Sequence, residues 1–465
     1  MASENTQLQP DLPSKKKGKL LTPARIIVLG YITVILVGAF LLWLPAARQS
    51  DTSGNFLNSI FDATSAVCIT GFLLYDIANY YTMFGQIVIL VLIQIGGLGF
   101  MSITTLMFLL LGRRISLRER LVMQEAMNQD SFGGIISVIK RVIILTFIVQ
   151  FIGFLFLLFV FVPVAEWRGV YYAVFYSVAA FCNAGVSVSG FALSEIAAYR
   201  LLKIILTCLT LLGGLGYLVI FDIGKNWVSC LREKRLLPRW RYLATHTKIV
   251  IYASVFLIVV STLTFVFAEY NYAFSEEGFG GSLLYSVFLS INARSSGFGF
   301  VDTYALSEGS RLILIANMFI GASPASTGGG IKTTTAFLIF VYFLSTIRLR
   351  REVTVNKSTI SHRHLSKAIT IFVFAIMLLF AATFILTWTD GQFYLGQLFF
   401  EVASALGTVG LSVGVISDIS NIGKILFIFL MLIGRIGILT FGMSFYNSKY
   451  DDPKVKWAEA KILVG

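Results

Sequence analysis

The sequence predicts an all-α integral membrane protein. Its expected form is four membrane–pore–membrane repeats, with eight transmembrane helices and four re-entrant pore helices around one central pore. Three observations carry that expectation. The 465 residues are 57% hydrophobic and 13% charged, with a mean hydropathy of +0.81, whereas soluble domains sit near a quarter charged. Apolar runs near or above the ~18 residues that cross ~30 Å of hydrocarbon recur along the chain. A short polar glycine signature returns four times at one spacing.

The elements follow in order. A polar tail, 1–24, contains "MASENTQLQPDLPSKKKGK", and no apolar stretch with a small-residue cleavage site follows it, so no signal peptide is expected. Repeat 1 spans 25–112. Repeat 2, with its preceding cytoplasmic loop, spans 113–229, repeat 3 spans 230–346 and repeat 4 spans 347–446. A second tail, 447–465, closes the chain. First helices are expected near 25–44, 137–162, 248–268 and 368–388, and second helices near 81–111, 199–228, 311–346 and 422–445.

Charge fixes the sidedness. The net charge of +13 is compatible with nucleic-acid binding in principle, but its distribution points elsewhere. Most Lys and Arg cluster in 15–25, 113–141, 225–248, 348–367 and 449–461, whereas Asp51, Asp76, Glu166, Glu195, Glu269, Asp302, Asp390 and Asp418 fall in the alternate segments. Such a bias places the basic patches and both termini in the cytoplasm of a multi-pass plasma-membrane protein. Each repeat then starts and ends on one side. Two crossings satisfy that, so the intervening segment of about 12–14 residues, ~18–21 Å as a helix, has to dip in and return.

The turns at the ends of those short segments are Ile69-Thr70-Gly71, Asn183-Ala184-Gly185, Ser295-Ser296-Gly297 and Thr408-Val409-Gly410, with glycines 114, 112 and 113 residues apart. Non-helical backbone survives at membrane depth only when buried in protein or lining a wet cavity. Four such turns around an axis would present carbonyls that replace an ion's hydration shell, the logic of a potassium-selective filter. Glycine tolerates the backbone conformations this needs. A second glycine-rich element follows each turn, at "QIGGLGF", "LLGGLGY", "IGASP" and "LIGRIG", and reads mainly as a site of close helix packing.

Other chemistries find little support. None of the four cysteines forms a CxxC pair and the three histidines fall in basic loops, which argues against zinc or a disulfide framework. "GASPASTGGGIKTTT" half resembles a phosphate-binding loop, but Ile331 separates Gly330 from Lys332 and apolar helices flank it. Asp62 and Glu401 lie in pore-helix segments, either as cation-attracting charges or as anchors for nearby backbone, and Arg294 reads as a prop for its turn. A membrane enzyme lacks its motifs. A sodium-coupled secondary transporter with alternating access is the alternative reading, disfavoured because inverted repeats are the commoner plan there.

With "VCITGF", "CNAGVS", "RSSGF", "GTVGLS", "GASPASTGGGIKTTT" and "GRIG" in these places, residues 25–465 resemble the Trk/Ktr/HKT superfamily of potassium transporters, most of all its bacterial Ktr membrane subunits. The resemblance implies potassium uptake, often sodium-stimulated, through a homodimer with one pore per subunit. It implies a partner, a cytosolic ring of regulatory subunits that binds ATP or ADP, with no cofactor in this chain. Glycine at Gly71, where sodium-favouring plant relatives tend to carry serine, fits potassium. The basic loops become docking candidates, although topology and anionic lipid already demand basic residues there. "WAEAKILVG" matches an ending that relatives use at the dimer interface.

The superfamily also uses the loop at 321–335 as an intramembrane gate. "LILIANMFI" and "AFLIFVYFL" are each about 14 Å long if helical, half a bilayer, so the loop between them is expected at the midplane, in this repeat alone. Gly321, Ser323, Ser326, Thr327, Gly328, Gly329 and Gly330 are its candidate moving part. Arg435 matches the arginine that closes the gate and needs acceptors such as the loop's carbonyls. Lys332 is expected to snorkel to the cytoplasm or to hold the loop's lower end.

Overall fold

A computed structural model of the chain describes residues 22–49, 54–99, 102–106, 117–126, 134–189, 199–233, 240–275, 278–300, 302–350, 352–355 and 358–445. The N-terminal tail up to residue 21, parts of the basic segments at 113–141 and 225–248, and "WAEAKILVG" lie outside them. Among the described residues every regular element is helical except a small hairpin, Thr354–Val355 with Ser358–Thr359.

Four single helices are long and apolar enough to cross a membrane: Pro23–Trp43, Ile136–Cys182, Thr245–Glu269 and His362–Thr389. They include the first helix of every repeat, within a few residues of the expected bounds. Thr22 caps the first of them, its hydroxyl accepting from Arg25 N, with Pro23 in the first turn where no N–H is missed. Shorter helices follow where the pore helices are expected, at Phe56–Cys68, Gly278–Asn292 and Leu395–Gly407. In repeat 2 the first and pore helices form one hydrogen-bonded run, Ile135–Cys182, interrupted at Glu166 (φ 51°, ψ −126°) three residues after Pro163. Phe161 and Tyr176 stack at 5.0 Å, yet fifteen residues of straight helix span ~22 Å, so the chain doubles back there.

The second helices begin at side-chain caps: Thr82, Ser307 and Ser420 each accept from a backbone N–H in the first turn. Carboxylates at the ends of two first helices reinforce this. Glu269 accepts from Ser307 N and Oγ at 3.1 and 2.6 Å, and Asp390 from Ser420 N and Oγ at 2.7 and 2.9 Å. Each buried carboxylate thus ties one repeat's first helix to the start of its second.

The sequence suggests an interrupted second helix in repeat 3 alone, but no second helix is one continuous rod among the described residues. Met83–Leu98 ends at Gly99 (φ 79°), Tyr199–Leu215 meets Tyr217–Arg232 at 99° across Gly216 (φ 91°), and Asn421–Ile436 meets Ile438–Phe445 at 104° across Gly437 (φ 96°). Repeat 3 breaks at the same level, between Glu308–Phe319 and Thr333–Ile347. A break expected in one repeat therefore belongs to all four. In repeats 1, 2 and 4 the physical reason is the glycine closing the second glycine-rich element, whose positive φ ends a helix without the penalty a side chain meets; in repeat 3 the helix ends at Ile320 and the inserted loop follows. The expected packing role stands beside it: a Cβ on Gly96, Gly213 or Gly434 would overlap the carbonyl oxygen of Val67, Phe181 or Leu406, four residues before the turn glycine of the same repeat.

Candidate functional site

The four pore helices end within one buried shell, and three of them end alike. Ile69, Asn183 and Thr408 adopt left-handed φ values of 58°, 62° and 51°. Each follows its helix directly, and the next N–H bonds back to a carbonyl five residues earlier: Thr70 to Ser65 (2.9 Å), Ala184 to Ala179 (2.8 Å) and Val409 to Ser404 (2.9 Å). This is a C-terminal capping turn closed by non-glycine residues. Repeat 3 departs from it. Ser295, Ser296 and Gly297 all donate to Asn292 O, and the Asn292 amide holds Phe298 through both its N–H and its carbonyl, at 2.9 and 2.6 Å.

The turn glycines, all at φ between 64° and 89°, close a ring. A Cβ on Gly71 would collide with Ala184 O of the second turn. On Gly185 it would meet Ser296 O, on Gly297 Val409 O, and on Gly410 Thr70 O of the first turn. Each glycine thus lies against the carbonyl preceding the glycine of the next repeat, and the order 1–2–3–4 returns to 1. The structure brings Thr70, Gly71, Ala184, Gly185, Ser296, Gly297, Val409 and Gly410 together around one axis, with Asn183, Ser295 and Thr408 on the side towards the 321–335 loop and Ile69 beside Gly96. On the opposite side an open cavity of about 330 Å³ is lined by Gly71, Gly185 and Gly410 together with Tyr75, Asp76 and Ser412.

The 321–335 loop lies directly against the inner side of this ring and reaches three neighbours. Ser323 N and Thr327 N donate to Gly214 O and Gly213 O (3.1 and 3.2 Å), and Tyr217 N donates to Ala325 O (2.8 Å), which fastens the loop to repeat 2. Gly330 N donates to Gly434 O of repeat 4 at 3.3 Å, and a Cβ on Gly329 would strike the Thr408 hydroxyl. Gly328 packs against the Ser295 side chain of its own repeat. Thr327 Oγ1 donates to Phe181 O at 3.2 Å. With the Asn183 amide nitrogen donating to Ala180 O and Thr210 O, its oxygen faces the Thr327 and Ser295 hydroxyls at 3.0 and 3.2 Å. Because repeats 2 and 4 stand opposite each other in the ring, a loop bonded to both runs beneath the axis.

Two cations hold it there. Arg435 donates from one guanidinium nitrogen to Thr327 O and from the other to Gly96 O, linking the loop to repeat 1. Lys332 Nζ bonds the loop's own carbonyls, Gly328 O at 2.7 Å and Gly329 O at 3.5 Å. Of the two sequence readings of Lys332, the geometry matches the one in which it holds the loop. Ser326 Oγ turns in to Ser323 O at 2.6 Å, and a Cβ on Gly321 would meet Gly329 O, so the loop is folded on itself.

Asp62 and Glu401 are fully buried and bond backbone N–H groups just beyond their turns, as the anchoring reading expects; Arg294 Nη2 donates to Ser254 Oγ at 3.3 Å. Sequence reasoning missed the helix-break glycines and the acceptors Phe181 O, Gly213 O and Gly96 O. Backbone acceptors carry no residue signature, but the breaks were legible as the last glycine of each repeated element.

The family model described as "TrkH: Cation transport protein" matches residues 8–450. The chain is 33% identical over 451 residues to Ktr system potassium uptake protein B of Bacillus subtilis, covering 96% of this chain and 97% of that protein. It is 32% identical to the potassium/sodium uptake protein NtpJ of Enterococcus hirae, covering 97% and 99%. Among solved structures, the potassium transporter TrkH from Vibrio parahaemolyticus superposes with a TM-score of 0.72 at 16% identity, over 93% of this chain and 87% of that one.

Proposed function

Because the chain belongs to the TrkH family of cation transport proteins, we propose that it carries potassium across the cell membrane through the axis of the four-turn ring. The closed ring of turn glycines, each against the next repeat's carbonyl, is the observation that carries this reading. A ring of backbone carbonyls replaces water around a dehydrated cation without a charged side chain, and the names of the relatives support potassium as that cation. In this proposal Ile69–Gly71, Asn183–Gly185, Ser295–Gly297 and Thr408–Gly410 form the filter. All four second helices complete their crossings beyond their breaks, giving eight in total, and both termini face the cytoplasm.

The loop at 321–335 is the gate in this reading, with Gly321, Ser323, Ser326, Thr327 and Gly328–Gly330 as its moving backbone and Lys332 and Arg435 as its latches. A homodimer docked on a cytosolic ring of nucleotide-binding subunits controls it, and ATP or ADP acts on that partner. The words "Ktr system" in the relative's name fit a multi-component assembly, and the potassium/sodium relative fits stimulation by sodium. Potassium uptake in a potassium-transport-deficient cell tests the ion assignment, with Gly71→Ser beside it. No potassium uptake, or unchanged selectivity in the variant, refutes the filter. Deleting Ala325–Gly330 should raise flux and weaken control by the partner; normal gating after the deletion refutes the gate.

The helix breaks at Gly99, Gly216 and Gly437 favour one rival, since alternating-access transporters build midplane sites on broken helices. Single-channel recording separates the two. Unitary currents support the pore, and their absence alongside strict sodium coupling supports the rival.

A further inference from the structure

The position nine residues before each turn glycine is occupied by Asp62, Tyr176, Phe288 and Glu401, buried to within 2% in every case. They are two carboxylic acids and two aromatics, with no one property shared by all four, yet each reaches the residue twelve positions on, in the segment leaving the turn. Asp62 Oδ1 accepts from Leu74 N at 3.1 Å. The Tyr176 hydroxyl accepts from Val188 N at 3.3 Å and pairs with Ser187 and Ser189 at 2.5 and 3.1 Å. Glu401 Oε1 accepts from Val413 N at 2.9 Å and Ser412 Oγ at 2.6 Å. In repeat 3 the polar bond is replaced by packing, Phe288 edge-on to Phe300 with ring centres 4.9 Å apart, while Asn292 takes over the backbone bonds at Phe298.

What the polar members share is an acceptor for one N–H, not a charge. A tyrosine at the same place shows that no negative charge is needed there. Buried N–H groups must be paired, and an acceptor on a rigid pore helix fixes the strand that carries them. Resting on the filter reading above, we propose that Asp62, Tyr176 and Glu401 are positioning residues. They set the spacing of the ring carbonyls by pinning the outgoing strand of turns 1, 2 and 4, with Phe288 and Asn292 sharing that task in turn 3.

The test compares Tyr176→Phe, Glu401→Gln and Glu401→Leu in the full chain, purified into proteoliposomes, with potassium uptake measured against sodium competition. Tyr176→Phe keeps the ring and loses the acceptor, so potassium-over-sodium preference should fall about five- to tenfold, the loss of roughly one hydrogen bond. Glu401→Gln removes the charge and keeps an accepting oxygen, so selectivity should stay within twofold of wild type. Glu401→Leu should resemble Tyr176→Phe. A selective wild type with an equally selective Tyr176→Phe overturns the brace while leaving the filter standing. So does a Glu401→Gln variant as impaired as a folded Glu401→Leu, which would make charge the operative property. A wild type without potassium uptake overturns the filter reading itself.

Discussion

Removing Arg435 should open the pathway. The guanidinium forks between Thr327 O of the loop and Gly96 O of the first repeat, so it is the side chain that ties the proposed gate to repeat 1. Hydrogen bonds from a charged donor contribute about 1.5–3 kcal/mol each. A ligand or side chain shifts an equilibrium only by its differential interaction with the two states, and both bonds exist only while the loop lies beneath the ring. At the low end, Arg435→Ala costs the closed form about 3 kcal/mol, on the order of a 150-fold shift towards open. Arg435→Lys keeps the charge but cannot fork to two acceptors, so about half the energy and roughly a tenfold shift are expected. Potassium flux into proteoliposomes without any partner measures both. Flux in the order Ala, Lys, wild type supports the latch. Folded Arg435→Ala with wild-type basal flux refutes it.

Three further outcomes follow from the same geometry. Thr327→Val loses the hydroxyl bond to Phe181 O and should raise partner-free flux about fivefold, near 1 kcal/mol, while Thr327→Ser stays near wild type; equal flux in the two variants refutes it. Gly216→Ala strains a positive φ by about 1–2 kcal/mol and drives a Cβ onto Pro324 O, so it should disturb gating more than Gly99→Ala, which meets nothing within 4 Å. Matching uptake curves for the two would show that the loop contact is unimportant. Charge reversal at Arg348 and Arg350, both exposed beside the last turn of Thr333–Ile347, should weaken co-purification with a cytosolic regulatory ring; undiminished co-purification moves the docking surface elsewhere.

How much of this was readable in advance depended on whether a feature repeats. The first helices and turn glycines were legible because hydropathy and glycine spacing survive in four copies. The anchoring of Asp62 and Glu401 was legible only as one of two options. Side-chain type alone does not say whether a carboxylate faces an ion or an N–H twelve residues away. Tyr176 and Phe288 escaped notice because the shared property is position, and the four residues there differ in charge, polarity and shape. The helix breaks were misassigned to one repeat because the loop between Ile320 and Ile331 announces itself by length, whereas Gly99, Gly216 and Gly437 break their helices with a single residue inside an apolar run. The fork of Arg435 was half visible: its need for carbonyls followed from burial, but which carbonyls depended on the loop crossing to the opposite repeats.

The shared breaks change how the loop itself is understood. A helix that ends at one glycine leaves carbonyls and N–H groups unpaired at membrane depth, and they must find partners. In repeat 2 the freed Gly213 and Gly214 carbonyls accept from the loop, and in repeat 4 Gly434 O does the same; in repeat 1 Gly96 O accepts from Arg435. One loop, inserted at the third break, thus satisfies open ends in repeats 2 and 4, and Arg435 bridges it to the break in repeat 1. Its closed position is stabilised by the same broken backbone that makes room for it. In the proposed gate, moving the loop would expose those carbonyls on the axis, where water or a passing cation would supply the replacement partner. Repeat 3 carries both the loop and the divergent turn: Ser295 packs against Gly328, and Asn292 holds that turn from within, so in the proposed gate the turn would not depend on the loop for its shape.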